Sequence, residues 1–544
     1  MGIRSTVALP RGKSLPAPKV RLIKRTGLLF PFYAALLLAG LLAGCARHDE
    51  VPQAPVSGSD SLTGFAFQAG SNSALQFDIT GDIEGDTIYV HAPAGTDISD
   101  LTPIFTHTGV RLTVDDSDQV SGVSAHDFNQ PVTYTVVGDD KGIRKYTVRF
   151  LDTGIPALYL STGGVPVDSK DNYVEGTMRI VSGFPEAVRY EGKMEIKGRG
   201  NATWNMPKKP YNIKLDKKAG LLGMEENKKW SLLANYGDKS LIRNAVAFEL
   251  SRRLQLAFSP ASEYVDVFLN GEFLGNYELT EKIEVGSHRV NIEEQDEGAT
   301  ILPGISGGYL LEVDGYAYSE KSYFVTPKSM AITIHYPEDD EITPEQKSYI
   351  SGHVTKFEDA LFSPDFGDPA TGYRKYFDLD SYINWYLVNE IMGNSDIFWS
   401  TYLYKKRNDD KIYAGPVWDF DLACNNDQRL GDAVHKMMID AGHEPRTWIN
   451  RLMEDKGFRQ AVRGRWNAVK TDKVNTLPQF VDQLARQLAF SQALNFRRWD
   501  ILGVKVHQNL QAAGSYPGEV DYLREYLKDR ISWLDTQFNS SRFE

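Results

Sequence analysis

The chain has 544 residues, of which 42% are hydrophobic, and its formal net charge is −12 at pH 7. That acidity argues against a nucleic-acid partner, because phosphate backbones bind basic surfaces. The only two cysteines, Cys45 and Cys424, are too few for a disulfide framework or a Cys-based zinc site. A chain of this length can bury several hydrophobic cores, so we expect two or more domains.

The first 44 residues have the pattern of an export signal. Residues 1–29 carry seven basic and no acidic side chains, and an apolar run follows over 28–44. The run ends in Leu42-Ala43-Gly44-Cys45, which resembles a bacterial lipobox and implies cleavage before a lipidated Cys45. We predict a lipoprotein signal peptide over 1–44, a polar tether over 45–59, and anchoring at the bacterial outer membrane or cell surface. An uncleaved membrane helix is disfavoured, because the run is short for a span of roughly 20 residues.

Residues 60–152 have the pattern of a small all-β domain. Hydrophobic and polar side chains alternate in Val132–Val136 and Tyr146–Phe150, and acidic or glycine-bearing turns separate such runs. The segment resembles the Ig-like modules that begin many bacterial surface lipoproteins. This resemblance implies an Ig-like β-sandwich.

Residues 153–345 are rich in strand patterns, and residues 346–544 are mainly helical. Asn270-Gly271 between two alternating runs predicts a type I′ hairpin. Ala245–Leu254 predicts an amphipathic helix with Asp238 at its N-cap. Helical spacing predicts a further helix over Leu379–Met392, and the runs Thr401–Lys405 and Lys411–Ala414 predict a hairpin after it.

Two acidic sites flank that last hairpin. Asp396 follows the predicted helix Leu379–Met392, and Trp418-Asp419-Phe420-Asp421 follows the second strand. Helix, loop Asp, hairpin and Asp-Phe occur in this order in a kinase catalytic lobe, where one Asp accepts the hydroxyl proton and the other holds the metal on ATP. The structural alternative is a turn Asp followed by an Asp that caps a helix.

Basic residues upstream suggest a phosphate-binding surface. A glycine-bearing loop is predicted at Lys197-Gly198-Arg199-Gly200-Asn201. Lys214 lies in the strand predicted after this loop, and Lys209 lies just before that strand. Glu249 lies on the predicted helix Ala245–Leu254 and could pair with an upstream Lys, as the helix Glu of kinases does. A surface Glu is the alternative.

Several motifs in fixed order resemble the CotH kinase family over roughly residues 190–540. They are Lys197–Asn201, Lys208–Leu215, Trp230–Asn244, Leu269–Gly275, Gly307–Asp314, Trp418–Asp421 and Tyr522–Phe538. The resemblance implies an α+β atypical protein-kinase-like domain over 153–544, with a β-rich N-lobe over about 153–345 and a helical C-lobe over about 346–544. It also implies transfer of the ATP γ-phosphate, with Mg²⁺ or Mn²⁺, to Ser or Thr of a secreted or surface protein substrate.

Carried over by position, the resemblance assigns a role to each matching residue. Asp396 matches the catalytic Asp and Asp419 the metal-binding Asp, with Asp421 as a further metal candidate. The remaining candidates would contact or surround the nucleotide: Lys214 as the phosphate-binding Lys with Lys209 as its alternative, Arg199 screening the phosphates, Glu249 on its helix, and Glu281 in the hinge region.

One departure from the family pattern bears on activity. Many relatives place an Asn about five residues after the catalytic Asp to bind a second metal, whereas this chain has Ser400-Thr401 there. Asn425, Asn426 or Asp427 are possible substitutes. The alternative function is therefore a catalytically degenerate surface protein that acts as a binding or adhesion module. A glycan-processing hydrolase is a third hypothesis, supported only by Trp399 and Tyr402 beside acidic residues.

Overall fold

The computed structural model describes residues 60–296 and 298–544. The predicted signal peptide over 1–44, the lipidation site Cys45 and the tether over 45–59 lie outside the described residues. Among the helices that are described, none is both long and apolar enough to cross a membrane.

The N-terminal region forms one eight-stranded sheet. Its strands are β1 (Leu62–Phe67), β2 (Ile79–Glu84), β3 (Thr87–His91), β4 (Pro103–His107), β5 (Arg111–Val114), β6 (Ser117–Asp118), β7 (Val132–Val137) and β8 (Ile143–Leu151). They pair in the order β4-β1-β2-β3-β8-β7-β5-β6, with β3 and β8 parallel. Phe65 of β1 meets Tyr134 of β7 with ring centroids 5.2 Å apart, so non-adjacent strands cover one core. The expectation of a β-rich N-terminal region is confirmed, and its Ig-like character stays a prediction.

A closed barrel follows the first sheet. Its strands are β9 (Ala157–Ser161), β10 (Val174–Ser182), β11 (Ala187–Gly198), β12 (Tyr211–Ala219), β13 (Asn227–Leu233), β14 (Ser262–Leu269) and β15 (Glu272–Glu281). They close in the order β10-β11-β12-β13-β15-β14-β9. Every second residue of β12 points inward, so Tyr211, Ile213 and Leu215 are buried. The predicted hairpin at Asn270-Gly271 is confirmed, and both residues have the positive φ that a type I′ turn requires.

Helix α1 (Arg243–Arg253) lies in the connection from β13 to β14. The prediction that Asp238 is its N-cap is wrong, because Ile242 occupies that position. Asp238 instead accepts a hydrogen bond from the Arg243 backbone N at 2.8 Å and pairs with the Arg243 guanidinium, both fully buried. Arg243 Nε in turn donates to the carbonyl oxygen of Ala423 at 3.0 Å. This contact ties α1 to the segment that carries Asp419 and Asp421.

A second open sheet combines three strands from before residue 345 with two strands from after it. Its strands are β16 (Tyr309–Val313), β17 (Tyr323–Val325), β18 (Ala331–Tyr336), β19 (Thr401–Lys405) and β20 (Ile412–Ala414), in the order β17-β18-β16-β19-β20. Strand β16 pairs with β19, with Glu312 opposite Tyr402. The predicted lobe boundary at residue 345 therefore divides a continuous sheet, because pairing between distant segments is not visible in local patterns.

Helices pack around this sheet. They are α2 (Pro344–Leu361), α3 (Leu379–Met392), α4 (Met438–Ala441), α5 (Thr447–Leu452), α6 (Lys456–Val469), α7 (Leu477–Gln487), α8 (Ser491–Arg498) and α9 (Tyr516–Phe538). Helix α3 has the predicted bounds and is buried on nearly all sides within the largest core. It is therefore a rigid support for the loop that follows it, which contains Asp396.

Candidate functional site

Asp396, Asp419 and Asp421 line one cleft of about 890 Å³, together with Arg199. We call it the acidic cleft. Its walls come from the loop after β11, the ends of β13 and β16, and the loops around residues 396–400 and 418–422. The structure thus brings together four of the candidate residues, from segments that are far apart in the sequence.

The end of α3 positions Asp396. Gly393 adopts the left-handed conformation that ends this helix, with φ 59°. Asn394 then accepts a hydrogen bond from the Asp396 backbone N at 3.1 Å, which turns the loop toward the cleft. The Asp396 carboxylate accepts two side-chain hydrogen bonds, from Arg429 Nη2 at 2.8 Å and from His443 Nδ1 at 2.6 Å.

Helix α1 positions the Asp419-Phe420-Asp421 segment. The Phe420 backbone N, which is buried, donates to Asn244 Oδ1 at 2.8 Å. Asp419 next to it has φ 69°, a conformation that is uncommon for a non-glycine residue and often occurs at functional sites. The Asp421 carbonyl oxygen accepts a hydrogen bond from Asn426 Nδ2 at 2.6 Å. The backbone on both sides of the two carboxylates is therefore fixed by buried contacts.

Both carboxylates of this segment have raised pKa values. For Asp419 the main cause is loss of hydration between the cleft walls; Arg199 opposes the increase, and Asp396 and Glu312 add to it. By accessible surface Asp419 is exposed within the cleft, so its loss of hydration reflects the many protein atoms around the carboxylate and not its exclusion from water. Burial and the charge of Asp419 raise the pKa of Asp421 to about 8.

This electrostatic pattern fits a bound cation. Clustered carboxylates repel one another, and a metal ion lowers that cost by neutralising them. Within the described residues, no side chain donates a hydrogen bond to the Asp419 carboxylate, so its oxygens are free to act as ligands. Carboxylate oxygens are the ligands that Mg²⁺ and Mn²⁺ prefer.

Arg199 lies where the acidic cleft meets a second cavity of about 920 Å³, which we call the adjoining cavity. Its guanidinium carbon is 5.4 Å from the ring centroid of Trp418. Burial lowers the pKa of Arg199, an effect that the nearby Asp419 opposes. His335, Tyr402 and Trp418 also line both cavities, so the two spaces share one wall.

The adjoining cavity contains two lysines that the sequence reasoning missed. Lys229 of β13 forms ion pairs with Glu284 at 3.5 Å and Glu338 at 3.0 Å. Lys282, directly after β15, forms no ion pair or hydrogen bond with another described residue. Its enclosure lowers its pKa, the charge of Lys229 adds to this, and the carboxylates of Glu284 and Glu338 oppose it. An unpaired, enclosed ammonium group is a natural partner for an anion.

Four predicted nucleotide contacts lie outside both cavities. Lys214 forms an ion pair with Glu195 at 3.1 Å. Lys214 lies between Glu195 of β11 and Lys229 of β13, and its ammonium group pairs with Glu195, on the side of β12 away from Lys229. Lys209 donates to the carbonyl oxygen of Trp204 at 2.6 Å. Neither lysine lines either cavity, so the structure adds no support for Lys214 or Lys209 as the phosphate-binding Lys, and that role stays a prediction.

The other two predicted nucleotide contacts, Glu249 and Glu281, also form ion pairs outside both cavities. Glu249 pairs with Arg252 at 2.9 Å and Arg253 at 2.8 Å on its own helix, not with an upstream Lys. Glu281 is buried in an ion pair with Arg289 and accepts a hydrogen bond from the Ala261 backbone N at 2.9 Å. These contacts support the barrel and its connection to the next segment.

Sequence reasoning also missed Glu312 and Asp314, which line the acidic cleft. They lie at the end of β16 at positions i and i+2, hence on one face of the strand. Glu312 accepts a hydrogen bond from His335 Nε2 at 2.6 Å, and Asp314 accepts one from Thr333 Oγ1 at 2.8 Å. The sequence offered one signal for this pair: two acidic residues, two positions apart, at the end of an otherwise apolar run.

Each proposed substitute for the second-metal Asn is held by other contacts, and Asp427 accepts hydrogen bonds from Arg429 and from the Ser395 hydroxyl. Asn426 donates to the carbonyl oxygens of Gly237 and Asp421, and its own Oδ1 accepts from Asn509. Asn425 accepts from the Ala433 backbone N at 2.7 Å. Ser400 lines the acidic cleft but has φ 50° in a tight turn.

Comparison with known families agrees with this arrangement. The family described as "CotH kinase protein" matches residues 196–534, which include all the strands and helices that build the acidic cleft. The chain belongs to the CotH kinase family. Membership suggests the use of nucleotide and metal in general, and the cleft of this CotH chain has carboxylates suited to a metal.

Two further comparisons each match a part of the chain. The family described as "SGBP, N-terminal" matches residues 72–150, which fall within the first sheet. A crystal structure of a candidate glycoside hydrolase from Bacteroides thetaiotaomicron matches with 18% identity and a TM-score of 0.13. The match covers 45% of this chain and 58% of that one. No curated protein matches.

Proposed function

We propose that this CotH protein is a lipid-anchored extracytoplasmic kinase that transfers the ATP γ-phosphate to Ser or Thr of secreted or surface proteins. The observation that carries the proposal is the meeting of Asp396, Asp419, Asp421 and Arg199 in one cleft. Phosphoryl transfer depends on positioning and charge neutralisation more than on covalent chemistry. The acidic cleft offers both a hydroxyl-facing carboxylate and separate carboxylates for a cation.

The chemistry assigns a separate task to each group. The acceptor hydroxyl oxygen forms a bond to the γ-phosphorus as the bond to the β–γ bridging oxygen breaks, and ADP leaves with that electron pair. Asp396 accepts the hydroxyl proton. Asp419, with Asp421, would hold Mg²⁺ or Mn²⁺, which supplies charge neutralisation for the phosphates when bound. Arg199 adds positive charge at the junction of the two cavities.

The adjoining cavity is the candidate nucleotide site. At about 920 Å³ it has the size of a small-molecule pocket. Ile283, which would belong to the hinge of a kinase-like fold, lines it, and Arg199 lines both this cavity and the acidic cleft that contains Asp419. In this proposal Lys282 replaces Lys214 as the phosphate-binding Lys, since among the described residues its ammonium group forms no hydrogen bond or ion pair, and Glu284 and Glu338 act on it only at longer range.

A thermal-shift titration of the full chain with ATP and Mg²⁺ or Mn²⁺ tests this function. A ligand that binds the folded state raises the melting temperature with concentration. We expect a metal-dependent increase that Asp419→Asn abolishes and Asp396→Asn preserves. Asp396→Asn should instead remove phosphoryl transfer, measured as radiolabel moved from γ-labelled ATP to protein. Asp359→Asn is the matched control, because Asp359 is exposed on α2 and lines neither cavity.

The second candidate is a binding or adhesion module, favoured by one observation. The second-metal Asn is replaced, and Asn425 and Asn426 are held in other contacts. An absent nucleotide shift at millimolar ATP would support this alternative over the kinase. The anchor is tested separately: metabolic labelling with palmitate in the native host should mark a mature chain that begins at Cys45, and Cys45→Ala should abolish the label.

A further inference from the structure

The strongest unexplained feature of the acidic cleft is Arg429. Its Nη2 donates to Asp396 Oδ2 at 2.8 Å and to Asp427 Oδ2 at 2.6 Å. Its Nε donates to Asp427 at 2.9 Å. The guanidinium group therefore lies between the two carboxylates, one on each side of it.

The residues around Arg429 form a set that could hold a metal ion. Ligand atoms of Asp396, Asp427 and His443 all lie within 4.8 Å of one another. Such a set of two carboxylates and an imidazole suits a divalent ion. Here the Arg429 guanidinium lies between the two carboxylates and donates hydrogen bonds to both of them.

Asp427 is built to hold Arg429, not to move toward a metal. Its side chain is 2% exposed, and it accepts hydrogen bonds from the Ser395 hydroxyl and from the Arg429 backbone N. A buried carboxylate with this many donors stays charged and fixed. The side chain of Arg429 is 37% exposed and lines the acidic cleft, so its charge remains within reach of a ligand there.

We propose that Arg429 takes the place of a second divalent cation beside Asp396. This rests on the proposed function, because it assigns how the cleft supplies positive charge without the second-metal Asn. The guanidinium group neutralises Asp396 and Asp427 and faces the space where the phosphoryl group would transfer. Arginine serves well in this role because it is always charged and presents donors in a fixed plane.

Counting bound Mn²⁺ tests the inference directly. The purified full chain is dialysed against Mn²⁺ with the non-hydrolysable β,γ-imido analogue of ATP, and protein-bound Mn²⁺ is measured by electron paramagnetic resonance. We expect one Mn²⁺ per wild-type chain. Arg429→Gln should bind one more, because the cluster of Asp396, Asp427 and His443 then lacks its cation. Arg429→Lys keeps the charge and should stay at the wild-type count.

The double variant Arg429→Gln/Asp427→Asn should return to the wild-type count, since it removes one ligand of the uncovered cluster. A purely structural role for Arg429 would not add a metal ion. Two Mn²⁺ in the wild type would overturn the inference without any variant, and so would an unchanged count in a folded Arg429→Gln. No Mn²⁺ in the wild type would refute the proposed function, while a rise from zero to one in Arg429→Gln would still support the role of Arg429.

Discussion

Asn244 is the residue through which α1 controls the Asp419-Phe420-Asp421 segment, and its substitution gives a sharp prediction. Asn244 Oδ1 accepts from the Phe420 backbone N at 2.8 Å, and Asn244 Nδ2 donates to Asn235 Oδ1 at 3.3 Å. Asn244→Ala would leave the buried Phe420 N–H without an acceptor. A buried polar group left unsatisfied costs about 1–3 kcal/mol.

Hydrogen exchange measures this cost at the affected site. A loss of about 1–3 kcal/mol corresponds to exchange of the Phe420 amide that is roughly 5- to 150-fold faster. The left-handed conformation of Asp419 also depends on this anchoring. We therefore expect Asn244→Ala to weaken Mn²⁺-nucleotide binding in the thermal-shift titration as well.

Glu249→Ala is the matched control on the same helix. Glu249 makes only ion pairs with Arg252 and Arg253 at the helix surface, which contribute little to stability. Exchange at Phe420 should be unchanged in this variant. Equal protection of Phe420 in Asn244→Ala and wild type would refute the argument that α1 holds this segment through Asn244.

Three further predictions each concern the surroundings of a single residue. Lys282→Ala should raise the Kd for nucleotide, measured by calorimetry, at least tenfold, whereas Lys214→Ala should leave it within twofold because Lys214 pairs with Glu195 outside the cavity. Burial raises the pKa of Glu278 to about 7. Its contribution to stability is therefore present below pH 4.5 and is lost as pH rises through 7. Glu278→Gln should raise the free energy of unfolding, measured in urea, by about 3 kcal/mol at pH 8 and by almost nothing at pH 4. Gly393→Ala should lower the melting temperature by several degrees, because the added Cβ would lie 2.1 Å from the Tyr526 hydroxyl.

Local patterns determined the elements next to the site. Helical spacing placed α3 at its observed bounds, and alternation placed β19. The Asn270-Gly271 turn was predictable because only a type I′ geometry suits that pair between strands. These features depend on near neighbours in the chain, and such interactions can be read from a short window of sequence.

The choice of basic residues could not be made in this way. Lys214 and Lys229 lie opposite each other on β12 and β13, yet only Lys229 lines the adjoining cavity. The two side chains differ because Lys214 pairs with Glu195 on β11, whereas Lys229 pairs with Glu284 and Glu338, which line the cavity. Strand alternation narrows the candidates to one face, but it does not say where along that face the cavity lies.

The sequence by itself determined the family, the β-rich start of the chain, and the two acidic motifs around the β19–β20 hairpin. Only the tertiary structure decided what surrounds them: Asn244 behind Phe420, Lys282 in the adjoining cavity, and Arg429 and His443 on Asp396. The physical reason is distance along the chain. The charge and hydrogen bonds that act on a carboxylate come from segments that folding brings together, and no local period connects those segments.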